Sequence, residues 1–400
     1  MTGWRLQQLT FGSAQGRAHA HSYYDIPVAD GAGRRVLVHR LGFAGRHPGP
    51  GDAVALGWAD ADRPGTVTPL GESRAWSWQQ GPMAQWVAGG PRAVWNDREG
   101  DALVARLVQV ETGARRTLSR PVYAVSPDGR VALSLDMGRL DRLRPGYGYP
   151  QPGAGPGGRA PDAAGIWALP LEEGGGGDGG GDGAPRLILP LDRARRWLLE
   201  RLPLAARMAH RIGRYHYWFN HAKIAPGGRR FTVKLRWRRP DGPWSEAQGV
   251  SLTAAMDGTD LRLLADATSH VIWQTDRLLY LWRRGEMALF EDAAPRGRRI
   301  GPIGAGAIGA NVHLRHLPPG PAARPDAYVF DTPYAETVTL NLLDPGTGAV
   351  TRLAEFGNHR PARGPFRCDL HPCPSADGRR IFVTSPADGA RQLYMLERAK

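Results

Sequence analysis

Seven times along its 400 residues, this chain runs a tight-turn signal into a short apolar or β-branched segment. The seven are "GAGRRVLVHRL" (31–41), "GGPRAVWND" (89–97), "SPDGRVALSLD" (126–136), "APGGRRFTVKLRW" (225–237), "QTDRLLYLW" (274–282), "RPDAYVFDT" (324–332) and "SADGRRIFVTS" (375–385). Asp-Gly and Gly-Gly supply the bends, and the runs after them suit half-buried strands. Most units lie about 40–57 residues apart, the length of one propeller blade. Each unit is expected to be the second or third strand of a four-stranded blade. "LVARLVQVETGARRTL" (103–118) and "TVTLNLLDPGTGAVTRLAEF" (337–356) read as strand, turn, strand, the outer hairpin of a blade. The expected fold is all-β, a seven-bladed β-propeller forming one domain over residues 1–400. An eight-bladed ring or a pair of β-sandwiches is the alternative.

One interval, between the third and fourth units, is about 100 residues long. It holds the Gly-rich run "GGGGDGGGDG" (174–183), a flexible low-complexity loop by composition. It also holds "LDRARRWLLERLPLAARMAHRIG" (191–213), the clearest helical periodicity in the chain. Asp192 is expected to cap this helix and Pro203 to break it. The propeller thus carries one long decorated connection, a flexible insertion at about 151–213.

Apolar residues make up 42% of the chain, enough for a core, and none of its apolar runs is long enough to span a membrane. "MTGWRLQQLTFGSAQGRAHAHSYYD" has neither an apolar core segment nor a cleavage site, which predicts a cytoplasmic protein. The formal charge of +14 comes almost wholly from arginine spread along the chain. Besides compositional bias, it fits a basic cleft for an acidic ligand. With no Lys/Arg stripe interleaved with aromatics, nucleic acid is not the expected partner. The phosphate-loop, nucleophile-elbow and H-E-x-x-H signatures are missing, so phosphoryl transfer and serine-hydrolase chemistry have no footing.

What remains is a set of histidines beside the turn-and-strand units: His221, His270, His313, His316 and His371. In a propeller the segment entering each innermost strand lines one mouth of the central channel, so residues distant in sequence converge there. Imidazoles and carboxylates on one axis suit a borderline divalent ion. Asp369 and His371 are two apart and share a face on extended backbone. Cys368 and Cys373 flank them but have no second cysteine pair, which argues against structural zinc. Polar-aromatic loops at 76–86, 95–101 and 139–150 contribute Arg98, Arg144, Tyr147 and Tyr149, suited to stacking on a sugar and gripping its carboxylate. The alternative for each is ordinary loop packing.

"SYYDIPV" (22–28), "NHAKIAPGGRRF" (220–231), "SHVIW" (269–273) and "DLHPCPSADGRRIFVTSPADGARQLY" (369–394) resemble the oligogalacturonate lyases, seven-bladed propeller polysaccharide lyases with a histidine-held metal. The resemblance implies a metal at His270, matching the family's "H-E-F-W" histidine, and at His371 of its "H-x-H-P" motif. Asp369 stands where that motif has its first histidine, and His313 is a further ligand candidate. The family's upstream glutamine ligand falls on Phe366 or Arg367, and its catalytic histidine on Leu235.

The expected function is therefore a metal-dependent β-elimination on a uronic-acid-containing oligosaccharide, with Mn as the metal and Zn or Ca as alternatives. Arg144, Arg236 or Arg98 would hold the carboxylate, while Tyr147, Tyr149 and Arg367 would contact the sugar. His221 is the favoured base, with His216 or Lys234 as substitutes. The competing expectation is a non-catalytic propeller that binds an acidic glycan or a protein. Glycoside hydrolysis or epimerisation on the same scaffold is a third.

Overall fold

A computed structural model of the protein describes residues 3–152, 157–172, 184–239, 241–318 and 327–399. Its strands form seven four-stranded antiparallel sheets arranged as a ring of blades, a seven-bladed β-propeller. The first strands of the blades are Ala18–Ala20, Gln85–Val87, Ala124–Val125, His216–Ile224, Thr268–Trp273, Leu314–Leu317 and Cys373–Pro374. They face the axis, and several neighbours among them touch. Outermost strands such as Arg298–Pro302 and Val350–Phe356 are largely exposed.

All seven turn-and-strand units supply second strands: Arg35–Leu41, Arg92–Glu99, Val131–Ser134, Arg230–Arg238, Leu278–Arg283, Ala327–Asp331 and Arg380–Ser385. Residues 103–118 and 337–356 are outer hairpins, as expected. The turns owe their shape to local chemistry. Ser375 Oγ donates to Asp377 Oδ1 at 2.6 Å, and the Arg379 and Arg380 amides donate to Asp377 and back to Ser375, each at 3.0 Å. Ser126 and Asp128 repeat the arrangement in the third blade. The ring closes where Trp4–Gln8 adds to the last blade as its fourth strand, antiparallel to Gln392–Arg398.

Two features depart from expectation. Residues 151–213 are not wholly outside the blades, because Gly165–Pro170 and Arg186–Pro190 are the third and fourth strands of the third blade. They are short, flanked by Gly and Pro, and carry few β-branched residues, so they give little signal. The Gly-rich run lies outside the described residues. The decoration that follows is a pair of helices, Leu191–Glu200 and Leu204–Ile212, parted at Pro203. Asp192 sits in the first turn, where it pairs with Arg195 and Arg196, while Pro190 holds the cap position.

The second departure is in 139–150, where the expected loop begins as a short helix, Met137–Leu143, capped by Asp136 through the Arg139 amide at 2.8 Å. Gly148 lets the following turn fold back on this helix, since a Cβ there would lie 2.2 Å from Met137 O. That turn aims Arg144 and Tyr147 at one mouth of the ring.

Candidate active site

At that mouth, residues from the last two blades form a buried cluster. One ligand atom each of His313, Asp369 and His371 lies within 4.8 Å of the others. His371 Nε2 is 3.7 Å and His313 Nε2 4.0 Å from Asp369 Oδ2. His313 Nδ1 donates to Asp331 Oδ2 at 2.9 Å, which turns its Nε2 toward the cluster. The ring of His270 lies 4.3 Å from that of His313, though its nitrogens fall outside the three-residue group. Tyr24 packs against His270, His313 and His371 together.

The backbone explains how three of these mouth histidines point inward. His221, His270 and His371 have φ of 55°, 48° and 51°, in the left-handed region that non-glycine residues seldom adopt. His221 and His270 lie at register shifts of their innermost strands, which are β-bulges that re-aim a side chain.

These residues fit a divalent ion. His371 Nε2 and His270 Nδ1 are buried with no hydrogen-bond partner, an expensive state for polar atoms unless something else engages them. Burial, reinforced by the neighbouring His313, holds both imidazoles well below their ordinary pKa and so keeps them neutral, as ligands must be. Burial acts the same way on His313, but the charge and hydrogen bond of Asp331 outweigh it and raise its pKa.

Beside the cluster opens a cavity of about 1220 Å³. His270, Tyr24 and Arg367 line it, while His313, Asp369 and His371 sit one layer behind. Arg367 joins the two spaces: its Nε donates to Asp369 Oδ2 at 2.8 Å and its Nη2 to Tyr147 Oη at 3.1 Å. The opposite wall carries Arg144, His221, Lys223, Lys234 and Arg236. Lys223 has a counter-ion, Asp25, at 2.8 Å. Arg144, Lys234 and Arg236 have no carboxylate partner among the described residues.

Burial and the nearby Arg144 push Arg236 down to about 9. Tyr147 is buried, which raises its pKa, yet the adjacent Arg144 and Arg367 cations win and lower it to about 8. Arg144 and Arg236 make an uncompensated cationic wall under low solvent access, a site suited to an anion.

Neither a family model nor a curated protein matches the sequence. Among solved structures, an oligogalacturonate lyase in complex with manganese matches with a TM-score of 0.61 at 15% identity, over 99% of this chain and 94% of that one. An oligogalacturonate lyase from Vibrio parahaemolyticus gives 0.56 at 10% identity, over 98% and 97%. The fold is that of the oligogalacturonate lyases. At this identity the likeness is one of architecture, so the chemistry must be argued from the residues.

Of the residues singled out in the sequence, His221, Arg236, Arg144, Tyr147, Arg367, His270, His313, Asp369 and His371 do converge on the cluster or the cavity. Arg98 and Tyr149 do not. Arg98 is buried and donates to the Pro150 carbonyl, and Tyr149 is a core residue whose hydroxyl accepts from Asn96 at 2.9 Å. His316 packs on Tyr328 within its blade. Both cysteines are buried free thiols, raised by burial to about 11 at Cys368 and about 12 at Cys373, and neither joins the cluster. Residues 367–373 therefore serve two purposes, with Asp369 and His371 in the cluster and Cys373 opening the last blade.

Leu235 is fully buried in the core, whereas Thr232, Lys234 and Arg236 alternate along the same strand and face the cavity. Sequence reasoning missed Tyr23, which stacks on His221, and Tyr24, Asp25, Tyr123 and Asp331. Tyr23, Tyr24 and Asp25 were within reach, since they sit in the "SYYDIPV" segment. Asp331 ends a strand like many other aspartates and carries no signal of its own.

Proposed function

We propose that the protein is a metal-dependent lyase that cleaves a uronic-acid-containing oligosaccharide by β-elimination, working in the cytoplasm. The observation that carries this is the pairing of a buried imidazole–carboxylate cluster with a cavity whose cations lack counter-ions. His270, His313, Asp369 and His371 would hold the ion, with Mn favoured by the manganese complex of the similar structure. When bound, it would supply positive charge that polarises the substrate carboxylate and acidifies the neighbouring C–H.

The chain's own groups account for the rest. Arg144 and Arg236 hold the C6 carboxylate, and the guanidinium fork suits that geometry. Tyr147, with Arg367 behind it, presents an aromatic edge and a hydroxyl to the sugar. A base facing the cavity, His221 or Lys234, removes the C5 proton. Tyr23, Tyr24 and the helix residues Leu198, Ala206 and His210 wall the space and limit water.

The test is absorbance of an unsaturated uronate after mixing protein, Mn and short oligomers of galacturonate, guluronate, mannuronate and glucuronate. Growth of the band on at least one is expected, and silence on all four would overturn the proposal. A second reading, a propeller that binds an acidic glycan without cleaving it, is favoured by one observation: both nitrogens of His221 are already engaged. Binding of the same oligomers without turnover would establish that reading instead.

A further inference from the structure

Lysine is scarce here. Of 52 Lys and Arg residues only three are lysines, at positions 223, 234 and 400. Two of the three line the cavity, in contrasting settings. Lys223 is compensated by Asp25 at 2.8 Å and lies 5.2 Å from the ring centre of Tyr24. Lys234 is surrounded by Arg144, Arg236 and Lys223, with no acid beside it. Arginine stays charged under every such crowding, and lysine is the basic side chain that can give up its proton. A chain that elsewhere uses arginine for its cations keeps a lysine where a neutral amine would be formed.

The groups facing Lys234 can be named element by element. Its own strand offers Thr232 and Arg236 on the same face. The innermost strand offers Asn220, directly opposite, with His221 and Lys223. The third strand places Ser251 opposite it, and that hydroxyl is bonded to Thr268 at 2.6 Å. The turn after the short helix brings Arg144. Burial first, and then Arg236, Arg144 and Lys223, drive the amine well below its ordinary pKa.

His221 is differently placed. Arg144 can only donate, so His221 Nε2 accepts from Arg144 Nη1 at 3.1 Å. The proton then sits on Nδ1, directed at Tyr123 Oη 3.1 Å away, which also receives Gln80 Nε2. No lone pair of His221 is left for substrate while Arg144 stays in place.

Resting on the elimination chemistry above, we propose that Lys234 is the general base and His221 a positioning residue that orients Arg144. C5 carries both the proton to be removed and the C6 carboxylate. Base and carboxylate clamp must therefore be close neighbours, as Lys234 and Arg236 are at two-residue spacing on one strand face. Lys234 Nζ takes the C5 proton, the C–H electrons form the C4=C5 bond, and the C4–O bond breaks toward the leaving sugar. That oxygen takes a proton from water in the open cavity, and the ammonium of Lys234 returns its own to solvent.

Two measurements test this together. The first is turnover of the four oligouronates with Mn. Lys234→Met and Lys234→Arg are expected to lose about 100-fold or more in kcat. His221→Gln should chiefly raise KM. The second is nitrogen-15 NMR of lysine-labelled wild-type protein, which has only three side-chain amines to assign. Lys234 should be neutral at pH 7, with Lys223 and Lys400 charged. Wild-type kcat in Lys234→Met with kcat lost in His221→Gln, or a charged Lys234 at pH 7, overturns the assignment. A neutral Lys234 in a protein silent on all four substrates instead overturns the elimination chemistry, and the base with it.

Discussion

Asp331 does not line the cavity, yet it sets how His313 would meet an ion. By accepting the Nδ1–H it fixes the tautomer and turns Nε2 toward Asp369 and His371. Outer partners of this kind are worth 10–100-fold in affinity. Asp331→Asn is expected to weaken Mn binding by about that factor while the fold survives, as titration calorimetry would show; unchanged affinity would remove Asp331 from the site. Lys234 gives a second prediction, about stability. Its folded pKa lies well below the 10.5 of the free amine, so between the two values the unfolded chain binds the extra proton. Stability from this group is full above the unfolded value and is lost as pH falls through the range between the two. Lys234→Met should therefore raise the urea midpoint at pH 7, with a smaller gain near pH 10, while activity is lost. A variant less stable at pH 7 than the wild type would contradict a neutral buried amine.

Legibility at this scale depended on register. His270, His313 and His371 could be read because they precede turn-and-strand signals, which fixes them at blade entrances. The family's catalytic histidine falls on Leu235, a core position, while the favoured base His221 and the substitute Lys234 both line the cavity; one residue on a strand is the difference between core and cavity. Arg98 and Tyr149 misled because nothing in a local stretch tells which way a side chain faces, and Arg98 lies in the strand Arg92–Glu99 rather than in the expected loop.

The innermost strands carry the site through their bulges. Left-handed φ at His221, His270 and His371 is a property of the assembled ring, and no local signal announces it. The second strands, by contrast, were legible in all seven blades, and in the third and last of them the Ser-x-Asp-Gly turn is made by hydrogen bonds within a few residues. The helix pair was legible in period and in its break at Pro203, but the face it buries was not. Leu191, Ala194 and Leu198 are packed into the core, while Leu204, Met208 and Ile212 stand exposed. Leu198→Ala is expected to cost about 2–5 kcal/mol and Met208→Ala to stay within about 0.5 kcal/mol, read from urea unfolding. Equal costs at the two positions would mean that the second helix is covered by something else.

The ring as a whole is held shut at one seam, where the first and last segments of the chain share a blade. Buried histidines crowd this seam. His19 N donates to Arg391 O at 2.7 Å, and His21 N to Thr384 Oγ1 at 3.2 Å. Burial lowers His21 to about 4 and, with the help of Arg391, His39 to about 3. Their contribution is whole above about 6.5, where folded and unfolded forms are both neutral, and is lost as pH falls toward those values. The change is about 3 kcal/mol for His21 alone. Urea midpoints should fall steeply between pH 6 and pH 4, and less so in a His21→Gln, His39→Gln variant; parallel curves for the two proteins would place the acid-sensitive groups elsewhere.

On the proposed function, imidazoles and a carboxylate from successive blades grip one ion beside a cationic cavity. The direct measurement is the metal content of protein equilibrated with Mn and then freed of loose ions, for the wild type and for His313→Ala with His371→Ala. About one ion per wild-type chain, lost in the double variant with the fold intact, is the predicted result. A wild type that retains no metal, or a double variant that retains as much, would contradict it.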